Sequence, residues 1–410
     1  MPMLFRFSLY GALKNQRYYD PFLILAFREK GLSFFQIGIL IGFREVVSNV
    51  FEVPSGAAAD LYGRRRAMIL AFSAYIMSFV TFALSNSLAP LFGGMFFFGL
   101  GEAFRSGTHK AIIFDWLRIE GRSDEKTKVY GYTRSWSQMG SAISVLIAGA
   151  LVFYRGNFTD IFWFSIIPYA LNIINFFGYP AQLDGDRKSR VSLKAVFILL
   201  GKALKQLRQS APLRRLNLES MGFEGMYKAC KDYLQPILKQ TAIAIPLLLA
   251  FDAEKRTALL VAAVYFALYF LSSLASRNSH KIADWRGSDD GAARFLWWIN
   301  GVVFAMLIPS LWFGLYPAII LLFVALAVLE NFWRPVLISR FNAHSTPDMT
   351  ATVLSIESQS KSAATVVLAP LLGWTVDLVG GFWPIGVAGT VIAVAIIVTP
   401  TKKCKLPQIL

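Results

Sequence analysis

Charge is scarce in this chain. Asp, Glu, Lys and Arg make up 16% of its 410 residues, against about a quarter in a soluble domain. That shortage excludes an ordinary water-soluble protein and, with a mean hydropathy of +0.50, places the chain in a lipid bilayer. Cysteine is nearly absent: Cys230 and Cys404 are the two present, far apart and outside any CxxC pattern. Neither a disulfide framework nor a structural zinc site is expected. Histidine is equally sparse. His109, His280 and His344 are never close in sequence, so no metal, no cofactor and no His-based catalytic pair is expected. Acidic residues are the scarcer sign, 25 against 41 Lys and Arg. The resulting net charge of +16 would suit nucleic acid, but the basic residues fall between apolar spans on alternate sides, with no aromatic-basic motif beside them. The expected partner is the bilayer, not nucleic acid.

Apolar residues are abundant, 55% of the chain with 35 Phe. A helix needs about 20 apolar residues to cross ~30 Å of hydrocarbon. Twelve stretches qualify, near residues 5–28, 33–58, 67–86, 90–117, 130–153, 161–180, 213–238, 257–276, 295–314, 317–339, 350–376 and 381–399. The expected fold is an all-α integral membrane protein of twelve transmembrane helices in two six-helix bundles. Met1 to Leu13 shows no small-residue cleavage site and reads as part of a retained first helix.

The even-numbered loops are basic, Arg64 to Arg66 most densely, and the odd ones are poor in charge. Both termini are therefore expected in the cytoplasm. Six spans precede and six follow a basic stretch, giving bundles at 1–180 and 212–401, a cytoplasmic linker at 181–211 and a tail at 402–410. Apolar residues at helical spacing among the linker's lysines suggest a helix on the inner leaflet. The halves are related. Lys281-Ile-Ala-Asp284-Trp-Arg-Gly287 follows span eight as Ala57-Ala-Ala-Asp60-Leu-Tyr-Gly63 follows span two, and Ser137-Gln138 in span five matches Ser358-Gln359 in span eleven. A duplicated six-helix unit accounts for both.

Spans three, six, eight, nine and twelve hold no Asp, Glu, Lys or Arg, while the others carry them internally. A charge at mid-bilayer costs on the order of 3 kcal/mol, so these groups should face one another or water. Every third helix of each half can then face lipid while eight surround a polar path. Helical spacing sets Glu102, Arg105 and His109 on one stripe, Arg17 and Asp20 on another, Glu224, Lys228 and Lys231 on a third, and Glu357 with Lys361 on a fourth. Arg44 and Glu45, being adjacent, point in different directions and read as packing residues.

The stretch Gly56-Ala-Ala-Ala-Asp60-Leu-Tyr-Gly63-Arg64-Arg65-Arg66 reads as a short polar hinge between two apolar spans. Its Gly, Asp, Gly-Arg-Arg order resembles the signature loop between helices two and three of the major facilitator superfamily. The resemblance covers nearly the whole chain. It implies that Gly56, Asp60, Gly63, Arg64 and Arg65, with Asp284 in the second half, form a cytoplasmic gate, and that the halves rock about a midplane site. A secondary active transporter is implied, moving a small organic solute by alternating access with protons. Expected solute contacts are Arg17, Arg105, His109, Arg134, Gln138, Lys228, Arg334 and Lys361, whose positive charge favours an anionic or zwitterionic solute. Expected proton carriers are Asp20, Glu102, Glu224, Glu330 and Glu357. Span five has Gly140-Ser-Ala-Ile-Ser where drug antiporters of the family pair Gly with Pro, which weakens the alternative of a proton-driven drug efflux pump. A lipid-modifying enzyme or a non-transporting receptor are the readings from other classes. A monomer in a bacterial inner membrane is expected.

Overall fold

In the computed structural model, residues 2–122, 125–184, 201, 205, 210–245, 249–345 and 350–399 are described. Among them 88% is helix and no strand occurs. The chain forms two compact units, one of residues 1–193 with 235–269 and one of residues 194–234 with 270–410. Residues 235–269, which the sequence assigns to the second bundle, pack into unit 1.

Seven helices are long and apolar enough to cross a membrane: α3 (Phe34–Tyr62), α4 (Arg64–Leu84), α7 (Lys126–Arg155), α12 (Ala253–Arg277), α14 (Asp289–Trp312), α15 (Tyr316–His344) and α16 (Thr350–Val379). Two further apolar helices, α8 (Ile161–Phe177) and α17 (Trp383–Val398), are shorter. Helices free of charge turn apolar stripes outward, as Trp163, Ile167, Leu171 and Ile174 do on α8. That is the surface a bilayer covers.

Spans one, four and seven are interrupted, and these three carry much of the interior charge. Span one is α1 (Met3–Lys14), a break, then α2 (Leu23–Glu29). Pro21 sits in a 3₁₀ turn at Asp20–Phe22, where its missing N–H and fixed φ stop a continuous helix. The backbone groups freed by the break need partners. Gln235, fully buried, supplies both: its Nε2 donates to the Asp20 carbonyl at 2.9 Å and its Oε1 accepts from Ile24 N–H at 2.8 Å. Span four is α5 (Leu88–Arg105) and α6 (Thr108–Ile119), parted at Gly107, whose φ of 73° is left-handed. Span seven runs through α9 (Ala211–Ser220), a π turn at Met221–Gly225, α10 (Met226–Cys230), a 3₁₀ turn at Lys231–Tyr233 and α11 (Leu234–Ala244).

These interruptions correct three of the four stripes, because each shifts the register on which helical spacing depends; Glu357 and Lys361 share the unbroken α16. Arg17 lies in the break itself, not on a helix with Asp20. Gly107 separates Arg105 from His109. The hinge reading is corrected as well: Gly56 to Tyr62 continue α3, and Gly63 alone joins α3 to α4. Three consecutive alanines, the strongest helix formers, carry α3 through. The linker helix and the tail lie largely or wholly outside the described residues. The remaining helix is α13 (Ser279–Arg286).

Candidate functional site

Unit 1 holds a cavity of about 260 Å³. It exists because α1 and α7 approach closely. Gly11 lies against Ser137 and the Thr133 carbonyl, and a Cβ on Gly140 would stand 2.6 Å from the Ala12 carbonyl oxygen. Lys14 and Asn15 of α1 face Arg134 and Gln138 of α7 across it, and His109 of α6 completes the wall. No carboxylate among the described residues lines the cavity. Neither Lys14 nor Arg134 has an ion pair among the described residues. Lys14 instead lies 5.3 Å from the Tyr10 ring centroid.

His109 is packed rather than free. Its ring stacks on Tyr10 at 3.6 Å, Phe7 meets it edge-on at 5.6 Å, and Nε2 is 3.3 Å from the Tyr179 hydroxyl. Deeper in the same unit, Arg105 donates to Glu102 at 3.0 Å and to the Tyr75 hydroxyl at 3.1 Å, and Tyr75 donates to Glu102 at 2.5 Å. The Arg17 side chain makes no hydrogen bond or ion pair among the described residues, whereas Asp20 accepts from Tyr269 at 2.9 Å. Arg44 and Glu45 bond each other at 2.9 Å, a correction to their expected divergence. Arginine is long enough to curl back along its own helix.

Unit 2 gathers its charges differently. Arg334 on α15 donates to Glu224 at 3.1 Å and to Glu357 at 2.8 Å. Lys361 donates to Glu224 at 2.8 Å and lies 3.9 Å from Glu357, its expected partner one turn away. Ser220 also donates to Glu357. Both carboxylates are almost wholly buried. The π turn holds Glu224 against α16, and Gly225 permits this approach, since a Cβ there would meet Ala364 at 2.8 Å. Lys228 and Lys231 do not join Glu224 as a stripe: Lys228 donates to Ser362 at 3.4 Å and Lys231 pairs with Asp232 at 2.9 Å. Glu330, one turn before Arg334, forms no ion pair among the described residues.

The motif end of unit 1 is tied by Arg64, which bonds Asp60 at 3.1 Å and also Asp115 at the end of α6. Arg65 is held by Asp184, which accepts its backbone N–H at 3.0 Å. Gly63 has φ 106° and lies so close to Asp184 that a Cβ would fall 2.8 Å from its Cγ, so two constraints demand glycine. Gly56 meets neither demand. In unit 2, Gly287 repeats the positive φ, at 70°, but the Asp284 side chain is exposed and makes no ion pair or side-chain hydrogen bond among the described residues. There Arg340 near the end of α15 holds Asp290 at 2.7 Å and Glu219 at 2.5 Å. Sequence reading missed Lys14, Tyr75, Asp115, Asp184 and Gln235 as site members. Only Lys14, a cation directly after an apolar run, carried a signal.

Broken helices bearing charge inside, with charge-free helices outside, define a polytopic membrane protein with a polar interior. The sequence profile of the Major Facilitator Superfamily matches residues 12–358, and the chain belongs to that family. An uncharacterized transporter of Buchnera aphidicola subsp. Acyrthosiphon pisum is 29% identical over 136 residues, 32% of this chain and 32% of that protein. The vesicular acetylcholine transporter of Tetronarce californica is 25% identical over 132 residues, 32% of this chain and 25% of that one. The matched stretches thus span a third or less of these relatives' length. A variant of the nucleoside transporter NupG superposes with a TM-score of 0.80 over 97% of this chain and 99% of that one, at 11% identity.

Proposed function

We propose that this protein is a secondary active transporter of a small anionic or zwitterionic organic solute, working by alternating access and coupled to protons. The observation that carries this reading is the set of cations in unit 1, Lys14, Arg17 and Arg134, that form no ion pair among the described residues, two of them on a cavity whose described lining has no carboxylate. Uncompensated charge at membrane depth is expensive, and a solute carrying negative charge supplies the compensation. Cavity size points the same way. At about 260 Å³ it is below the roughly 300–1,000 Å³ of drug-sized ligand sites, which disfavours drug efflux. A quaternary ammonium such as acetylcholine meets the wrong sign of charge here.

Protons enter through unit 2. Arg334 and Lys361 match Glu224 and Glu357 in contact and in charge, which leaves Glu330 as the carboxylate whose natural partner is a proton. Glu102 and Asp20 are already engaged in unit 1 and serve as supports in this scheme. Arg105, His109, Lys228, Arg334 and Lys361 position the site rather than hold the solute directly, while Arg134 and Gln138 touch it. The gate residues Asp60, Gly63, Arg64 and Arg65 steady the ends of α3 and α4, with the termini in the cytoplasm of a bacterial cell and the protein in its inner membrane as a monomer.

The test is uptake into proteoliposomes under an imposed pH gradient. Organic anions should accumulate when the outside is acidic, Arg134→Ala should abolish accumulation, and Glu330→Gln should uncouple it from the gradient while leaving exchange. Accumulation of cations, or unaltered transport in Arg134→Ala, would overturn the proposal.

A further inference from the structure

The α7 wall of the cavity carries more information than its charge. Thr133, Ser137 and Ser141 repeat at every fourth residue and all line it. Ser137 Oγ donates to the Thr133 carbonyl at 3.4 Å, and Ser141 Oγ donates to the Ser137 carbonyl at 3.2 Å. A hydroxyl has one proton to give. With that proton turned into the helix, Ser137 and Ser141 present only lone pairs to the cavity. Asn15 spends one of its two amide protons on the Gly11 carbonyl at 2.9 Å and keeps Oδ1 to accept. Lys14 and Arg134, by contrast, are donors with no acceptor at all. The cavity therefore offers two sets of partners, cationic donors and acceptors, interleaved along both α1 and α7.

A plain alkyl carboxylate would satisfy only the first of these. Its apolar chain would lie against acceptors that it cannot pair. A ligand that matches both sets has a negative group and, a few bonds away, hydroxyls of its own. Resting on the anionic-solute reading above, we infer that the cavity is a site for a small hydroxylated organic anion. Its anionic group lies on Lys14 and Arg134, and its hydroxyls donate to Ser137, Ser141 and Asn15. Carboxylate and phosphate esters share this chemistry, and the experiment separates them.

Binding to the purified full-length protein in detergent is measured by calorimetry with two matched pairs, gluconate against hexanoate and glycerol 3-phosphate against propyl phosphate. Sorbitol and choline are the neutral and cationic controls. In at least one pair the hydroxylated member should bind at least about tenfold tighter, since a site built to meet a hydroxyl rejects the analogue lacking it. The better pair identifies the anionic group. Lys14→Met should cost at least about tenfold for both members of that pair, with Lys14→Arg restoring most of it. The double variant Ser137→Ala/Ser141→Ala should bring the hydroxylated ligand down to the level of its partner and leave the partner's affinity unchanged. The melting temperature of each unliganded variant serves as the control for folding. Equal binding within both pairs, or a preference that survives the double serine variant, overturns the hydroxylated class and leaves the anionic reading standing. Binding of sorbitol or choline alone, undiminished in Lys14→Met, overturns both, as does an absence of binding by every anion.

Discussion

The two units treat interior charge in opposite ways. In unit 2 two buried carboxylates and two cations are locked in a four-membered network across α15, α16 and the π turn. In unit 1 Glu102 is engaged by Arg105 and Tyr75, and Lys14, Arg17 and Arg134 form no ion pair among the described residues. A closed network stiffens a structure and leaves little for a ligand to gain. Unmatched cations around a cavity do the reverse. The motif ends show a second inversion. Unit 1 puts the base, Arg64, at the start of α4 and the acid, Asp115, at the end of α6. Unit 2 puts the acid, Asp290, at the start of α14 and the base, Arg340, near the end of α15. The same cross-link is thus made with its charges exchanged.

The comparison is most strongly tested by opening the closed network. Glu357→Ala should destabilise the protein by about 3–5 kcal/mol, because it removes the wholly buried carboxylate of the pair and leaves the half-buried Arg334 with one partner fewer. The measure is the thermal midpoint of the detergent-solubilised protein, and Arg134→Ala in unit 1 should move that midpoint hardly at all. Next in size is Gln235→Leu. It strands the Asp20 carbonyl and the Ile24 N–H, at about 1–3 kcal/mol per unpaired group, and hydrogen exchange should rise first around the break of span one. A smaller effect is expected at the motif end. Arg64→Asp and Asp115→Arg should each impair thermal stability, and the double variant should recover about 0.5–3 kcal/mol of coupling, by reproducing in unit 1 the polarity of unit 2. The smallest change belongs to Asp284→Ala, expected within about 0.5 kcal/mol of the parent and silent in transport, since an exposed side chain without partners has little to lose. A large effect there would show that the gate is symmetric after all.

Much of this was legible beforehand. The scarcity of charge, the charge-free spans and the Asp60 to Arg65 motif identified a membrane protein of this family. Gly63 could be read as a turn residue from its place between two apolar spans. Asp184 could not be read as the partner of Arg65, because 119 residues separate them. Nor could Gln235 be read as the splint for a break near Asp20, 215 residues away.

By itself the sequence determined which segments lie in lipid and which carry charge, because partition between water and hydrocarbon acts on composition over one helix length. Which charge meets which was decided by tertiary structure alone. Helical spacing relates only neighbours on an unbroken helix, and here Gly107, Pro21 and the π turn break the register at the charged spans. Partners then come from other helices, as Arg334 and Lys361 come to Glu224. Whether a cation is neutralised or left for a solute depends on that packing.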